Sequence, residues 1–137
     1  MTLRPEDIIG AWQLVDTYIE NPDGTRTPTQ GQHPAGLIMY TADGYMSAIT
    51  RRSDRELPED GGSPEDKERM FDSYLNYAGR WSLNGTTVTH HIEHALNPNW
   101  IGSSRDRSID FQGDRMVYSG YASDGKSSAI IIWEKRT

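Results

Sequence analysis

The chain has 137 residues, and fourteen lysines and arginines against twenty aspartates and glutamates leave a formal net charge of −6. That balance disfavours a phosphate-tracking surface for nucleic acid or an anionic membrane, and the absence of cysteine excludes disulfides, thiolate metal sites, iron–sulfur clusters and a cysteine nucleophile. The length suits one domain with one core, no apolar stretch of signal-peptide length opens the chain, and no run approaches the roughly 18 apolar residues of a membrane span; a single cytoplasmic domain over 1–137 is the expectation.

Thirteen glycines and seven prolines are spread along the chain and separate short segments rich in β-branched and aromatic residues, the pattern of a mostly β protein. Residues 10–20 place large side chains at alternate positions and stop at Asn21-Pro22-Asp23-Gly24, strong turn chemistry. Residues 36–40 and 45–50 flank Thr41-Ala42-Asp43-Gly44, which predicts a hairpin. From Arg51 to Arg69 charge of both signs is crowded among Pro58, Gly61, Gly62 and Pro64, which predicts an exposed loop in its first half. Ser63 can then cap a helix with Pro64 in its first turn, and Met70, Phe71, Tyr74, Leu75 and Ala78 recur at three- and four-residue spacing, so one amphipathic helix is predicted near 64–77.

Alternation returns in Arg80-Trp81-Ser82-Leu83, turns at Asn84-Gly85 and continues to Leu96. A loop over 97–102 precedes strands at 105–112, 115–121 and 129–135. Eight strands with short connections predict an antiparallel up-and-down barrel with one inserted α-helix, because closure removes exposed edges and eight strands can enclose one small ligand. A two-sheet sandwich is the competing architecture.

Several segments resemble a known family. Gly10-Ala11-Trp12 is similar to the Gly-x-Trp opening of lipocalins, whose tryptophan closes one barrel end. Residues 40–47, Tyr77-Ala78-Gly79-Arg80-Trp81, and Thr89-His90-His91-Ile92-Glu93-His94 followed by Asn97-Pro98-Asn99-Trp100-Ile101-Gly102 resemble, in order and spacing, the bacterial and fungal lipocalin-like domain family from about residue 8 to 135. The resemblance implies a small stand-alone lipocalin-like barrel with an internal cavity, often encoded among biosynthetic enzymes. Similar barrels carry apolar ligands, and others act as cofactor-free cyclases, isomerases or decarboxylases; fold alone does not choose among them.

Strand alternation sorts the candidates. Val88, His90, Ile92, His94 and Leu96 share one face of their strand, and the apolar members turn that face inward. Burial would hold such histidines neutral, able to act as a general base or simply to fill the core with a hydrogen-bond partner. A single bulge would bring in His91 instead of His90. Arg105, Arg107, Ile109 and Phe111 share another inward face; a buried arginine needs a carboxylate or a ligand oxygen, and Arg107 is nearer the middle of its strand. His90-His91-Ile92-Glu93-His94 matches the H-x-x-E-H pattern of zinc peptidases, but positions four apart in a strand are about 13 Å apart, so no metal and no other cofactor is expected.

Seven tyrosines against two phenylalanines suit an apolar cavity with a few oriented hydrogen bonds. The candidate ligand wall is Tyr18, Met39, Tyr45, Met70, Tyr74, Tyr77, Trp81, Ile92, Trp100, Tyr118 and Trp133. Met70, Tyr74 and Tyr77 belong to the 51–78 insertion, read as a lid over the barrel mouth or as a fixed plug. Trp12 is assigned to the closed end, with Lys135 or Arg136 stacked on it.

These residues support a barrel that takes a small, apolar, oxygen-bearing, polyketide-like molecule. Its expected activity is cofactor-independent isomerisation or cyclisation by proton transfer, with His90 as acid or base, His94 in support and Arg107 or a tyrosine against developing oxyanion charge. The alternatives are a non-catalytic carrier or sensor with the same cavity, and a scaffold acting through its surface as a homodimer.

Overall fold

A computed structural model describes residues 3–122 and 124–136. Nine strands form one sheet: β1 (Gly10–Glu20), β2 (Arg26–Pro28), β3 (Ala35–Tyr40), β4 (Tyr45–Arg51), β5 (Tyr74–Asn84), β6 (Thr87–Ala95), β7 (Ser104–Gln112), β8 (Arg115–Tyr121) and β9 (Ser128–Lys135). Strand β1 pairs with β3, each later strand pairs antiparallel with the next, and β9 returns to β1 from Trp12↔Lys135 to Glu20↔Ser128. Eight strands therefore close an antiparallel barrel, as expected, and the short β2 is an addition that pairs only with Tyr18–Glu20 on the flank of β1. Three residues with no alternation gave β2 no periodic signal in the sequence.

The tight turns explain the register. The Asp43-Gly44 turn, with Gly44 at φ +96°, sets Tyr40 against Met46 and brings Ile38, Tyr40, Met46, Ala48 and Thr50 to the inside. The Asn84-Gly85 turn does the same for β5 and β6. One end of the barrel is sealed: Trp12 is 3% exposed, its indole N–H donates to the Ile8 carbonyl at 2.9 Å, and Lys135 Nζ sits 4.7 Å above its ring, so that of Lys135 and Arg136 it is Lys135 that stacks on it.

At the opposite end lie the β1–β2 turn, the insertion between β4 and β5, and the β8–β9 connection. The helix α1 spans Pro64–Asp72, shorter than the 64–77 predicted. Ser63 caps it: its hydroxyl accepts from Asp66 N–H at 3.2 Å, and Ser63 N–H donates to the Asp66 carboxylate at 2.9 Å. It stops because the β4 edge captures the residues beyond Ser73; Arg51 pairs with Tyr74, and Leu75, Tyr77 and Gly79 alternate inward in β5. Side chains at 70, 71, 74, 75 and 78 satisfied a helical spacing, but the unpaired edge of β4 decided the outcome.

Two bulges change which side chains point inward. In β1 the pairing with β9 skips between Leu14 and Asp16, so Trp12 and Leu14 face inward before it and Thr17 and Ile19 after it. In β6 the pairing with β5 shifts between Ala78 and Gly79: Gly79 meets Ile92, but Ala78 meets His94. Tyr77 then pairs with Ala95, and His94 is turned to the outside.

Candidate functional site

The inner faces of the strands enclose a cavity of about 500 Å³, opening at the end opposite Trp12. Its apolar lining comprises Ile38, Ala48, Leu75, Ile131 and Trp133 among others. One wall, built from β5 to β8, is polar and carries Tyr77, His90, Arg105, Arg107 and Tyr118.

His90 is the centre of that wall. Alternation with Val88 and Ile92 points it inward and leaves it 1% exposed, so His90, and not His91, faces the cavity. Both ring nitrogens are engaged: Tyr77 Oη lies 2.7 Å from Nδ1, and Tyr40 Oη lies 2.5 Å from Nε2 and 2.5 Å from Tyr118 Oη. Burial first, then the nearby charges of Arg107 and Arg105, lower the imidazole pKa to about 3, so the ring is neutral. Burial raises the hydroxyl pKa of Tyr40, Tyr77 and Tyr118, so all three stay protonated.

The arginines differ. Arg105 stacks 4.4 Å over Trp100 and 5.8 Å from the Tyr77 ring, and Arg107 donates through Nη1 to its neighbour's carbonyl, that of Asp106, at 3.0 Å. Among the described residues neither forms an ion pair, and the Nε of each is buried without an acceptor. Burial lowers the pKa of Arg105. Two further cavity residues carry orphaned buried atoms, Trp133 Nε1 and Gln30 Oε1. Among the described residues the one carboxylate on the cavity rim, Asp124, is taken up by Lys126 N–H and by the N–H and hydroxyl of Ser127. Three unpaired N–H donors against one unpaired acceptor, counted over the described residues, make a wall suited to a ligand's oxygen.

The structure brings together His90, Arg107, Tyr77, Tyr118 and Trp133 of the predicted site. Tyr18 also borders the cavity, although the β1 bulge leaves its ring on the flank beneath Arg26 at 4.4 Å. The others stand elsewhere. His94 is exposed on the outer face because of the β6 bulge, and cannot support His90. Met39 and Tyr45, 42% and 43% exposed, alternate outward from Tyr40 and Met46; the apolar run of β3 gave no contrast between its two faces. Met70 and Tyr74 form a separate surface groove with Arg55, Phe71 and Leu96 and do not border the cavity. Trp81 packs edge-on against Tyr40 without bordering the cavity, Ile92 lies in the core, and Trp100 acts through Arg105.

Sequence reasoning missed Tyr40, which joins His90 to Tyr118, and undervalued Arg105. Hairpin register from Asp43-Gly44 would have turned Tyr40 inward; Gln30 sits in a turn segment with no periodic signal. His91 lies outside between the Ser82 and Ser104 hydroxyls, and among the described residues no three His, Asp or Glu side chains cluster as a metal site would need. No helix among them is long and apolar enough to cross a membrane.

The same architecture is found in a lipocalin-like protein of Bacteroides uniformis, which superimposes with a TM-score of 0.52 at 18% identity, covering 95% of this chain and 99% of that one. A protein from Bacteroides eggerthii covers 91% of this chain and 98% of its own at 13% identity, with a TM-score of 0.47. An Aspergillus oryzae protein described as a 4'-hydroxy-3'-methoxypropiophenone carrier is 28% identical over 86 residues, which take in 54% of this chain and 78% of that protein. The profile of the lipocalin-like domain matches residues 9–136, and with the closed barrel and its ligand-sized cavity this chain belongs to the lipocalin-like domain family.

Proposed function

We propose that the protein binds and carries a small, largely apolar molecule whose acidic or enolic oxygen is held by Arg105 and Arg107. The observation that carries this reading is the pair of buried guanidinium Nε donors with no acceptor, on the wall of an otherwise mixed apolar cavity. Both guanidinium groups are only half-buried, and a ligand anion would give them the charged partner that no carboxylate among the described residues supplies. His90 works here by holding Tyr77 and Tyr40 in place; a neutral ring with both nitrogens engaged is a poor general base. The relative from Aspergillus oryzae is described as carrying a hydroxyaryl ketone, which belongs to the same chemical class.

A second reading, a cofactor-independent isomerase or cyclase, is favoured by the same donors. Aimed at one oxygen, they would also stabilise an enolate formed during a proton transfer. One experiment separates the two. Tryptophan fluorescence is followed during titration with 4'-hydroxy-3'-methoxypropiophenone above the pKa of its phenol, for the wild type and for Arg107→Met. Loss of one charge-assisted hydrogen bond weakens binding about tenfold or more. Compound recovered unchanged after long incubation supports the carrier, and product accumulating beyond one equivalent of protein supports the enzyme. Equal affinity of the two proteins, or no saturable binding, sinks the reading.

A further inference from the structure

The chain Tyr77–His90–Tyr40–Tyr118 contains one hydrogen more than it can use. Three hydrogen bonds link the four groups, each needs one hydrogen, and three hydroxyls plus a neutral imidazole supply four. With the ring hydrogen on Nδ1, the ring donates to Tyr77, Tyr40 donates to Nε2, Tyr118 donates to Tyr40, and the Tyr77 hydroxyl hydrogen is free. With it on Nε2, Tyr77 donates to Nδ1, the ring donates to Tyr40, Tyr40 donates to Tyr118, and the Tyr118 hydroxyl hydrogen is free. The remaining arrangement strands a hydrogen on Tyr40, which is 2% exposed and away from the cavity, with no further acceptor among the described residues. Both favourable ends, Tyr77 and Tyr118, border the cavity, and among the described residues neither hydroxyl has another acceptor.

We infer that this chain is a two-position hydrogen-bond donor, which offers its surplus hydroxyl to the cavity at Tyr77 or at Tyr118 and is set by the ligand's acceptor oxygen through the tautomer of His90. The ligand class is a molecule carrying an acceptor oxygen, such as a carbonyl, phenolate or carboxylate, beside Arg105 and Arg107. The orphaned Trp133 Nε1 favours an acceptor as well. The two end arrangements are both neutral: in passing from one to the other Tyr118 gives its hydrogen to Tyr40, Tyr40 to Nε2 and Nδ1 to Tyr77, while the original Tyr77 hydroxyl hydrogen leaves to solvent in the cavity and Tyr118 regains one from it, so neither resting arrangement places charge in the low dielectric of the wall. Ligands whose oxygens are offset from one another are thereby accepted by one rigid wall. The proposal rests on the binding reading only for its ligand; the two-state chain itself is a property of the empty protein.

The test reads the ring nitrogens of His90 by long-range ¹H–¹⁵N spectroscopy on uniformly labelled protein, with exposed His91 and His94 as internal folding controls. Without any ligand, Tyr118→Phe leaves Tyr77 as the only cavity end, so His90 adopts the Nδ1–H form. Tyr77→Phe leaves Tyr118, so His90 adopts the Nε2–H form. The wild type gives shifts intermediate between these two, or two sets of them. The same tautomer in both variants overturns the switch, as does a wild type outside their range. In the second arm the wild type is saturated with 4-hydroxybenzaldehyde, which presents a phenolate and a carbonyl. Movement of the ring shifts toward one variant's values supports coupling to the ligand, and bound probe with unmoved shifts overturns that coupling. Absence of probe binding counts against the binding reading of the cavity, and the first arm then still decides the switch.

Discussion

His90 is where stability and pH meet. Its pKa falls from an ordinary value near 6.5 to about 3, so the unfolded chain takes up the proton that the folded one refuses. The stabilisation is complete above pH 6.5 and is lost as pH falls toward 3. Between pH 7 and pH 5, a window above the range of the lowered carboxylates Asp23, Asp54, Asp66 and Asp124, this single group costs about 2 kcal/mol. Urea denaturation of wild type against His90→Asn at the two pH values isolates it; an equal pH response in both would contradict the buried neutral ring. Tyr40 carries a separate prediction. Tyr40→Phe leaves both Nε2 and the Tyr118 hydroxyl without a partner, which costs roughly 1–3 kcal/mol in the same assay. Little of this was visible in the sequence. His90 and Arg107 could be found because each shares a strand face with apolar neighbours, but of the hydroxyls that saturate His90 one comes from the adjacent β5 beyond a bulge and the other from β3, fifty positions away, and neither placement is written in the periodicity of β6.

At the scale of elements, strand faces were readable wherever large and polar residues alternate, as in β6 and β7, and unreadable where everything is apolar, as in β3. Bulges were the other blind spot. Alternation in β6 extends without a break through His94, and only the crossing with β5 at Gly79 shows why it fails: a Cβ on Gly79 would lie 1.8 Å from the His91 carbonyl oxygen, backbone that cannot move aside. Gly79→Ala is therefore expected to prevent folding or to lower the thermal midpoint far more than Gly85→Ala, which meets open space and costs only about 1 kcal/mol for its left-handed backbone. Similar midpoints for the two would remove the close crossing as the cause of the bulge. The helix was recognisable by its cap but misjudged in length. Since Met70 borders two surface grooves and not the cavity, Met70→Ala is expected to leave ligand affinity within twofold of wild type. A larger loss in the same fluorescence titration would restore α1 to the binding site.

Taken as a whole, the barrel divides its labour between its ends. The sealed end stores stability in Trp12, whose ring is covered by Lys135 and packs 6.2 Å from Phe111, and the cavity beyond it holds the unpaired donors. Trp12→Ala is expected to cost about 3–5 kcal/mol while leaving affinity unchanged in the fraction that remains folded. Arg107→Met is expected to do the reverse, weakening the ligand with little change in the thermal midpoint. A calorimetric melt paired with the titration checks both, and a variant that moved both readouts together would show the two ends to be coupled.

Closure through β1 and β9 has a consequence for how the chain comes to be folded. The hairpins from β3 to β9 are local, but the ladder from Trp12↔Lys135 to Glu20↔Ser128 joins segments more than a hundred positions apart, which makes it the slow event of assembly. Until it forms, the sheet has two free edges, and one of them is Ala129-Ile130-Ile131-Ile132-Trp133, an uncharged run of high β-propensity. The segment that completes the ligand cavity is thus also the segment most prone to pair with another chain during biosynthesis, and any slowing of ring closure shows itself first as aggregation rather than as lost binding.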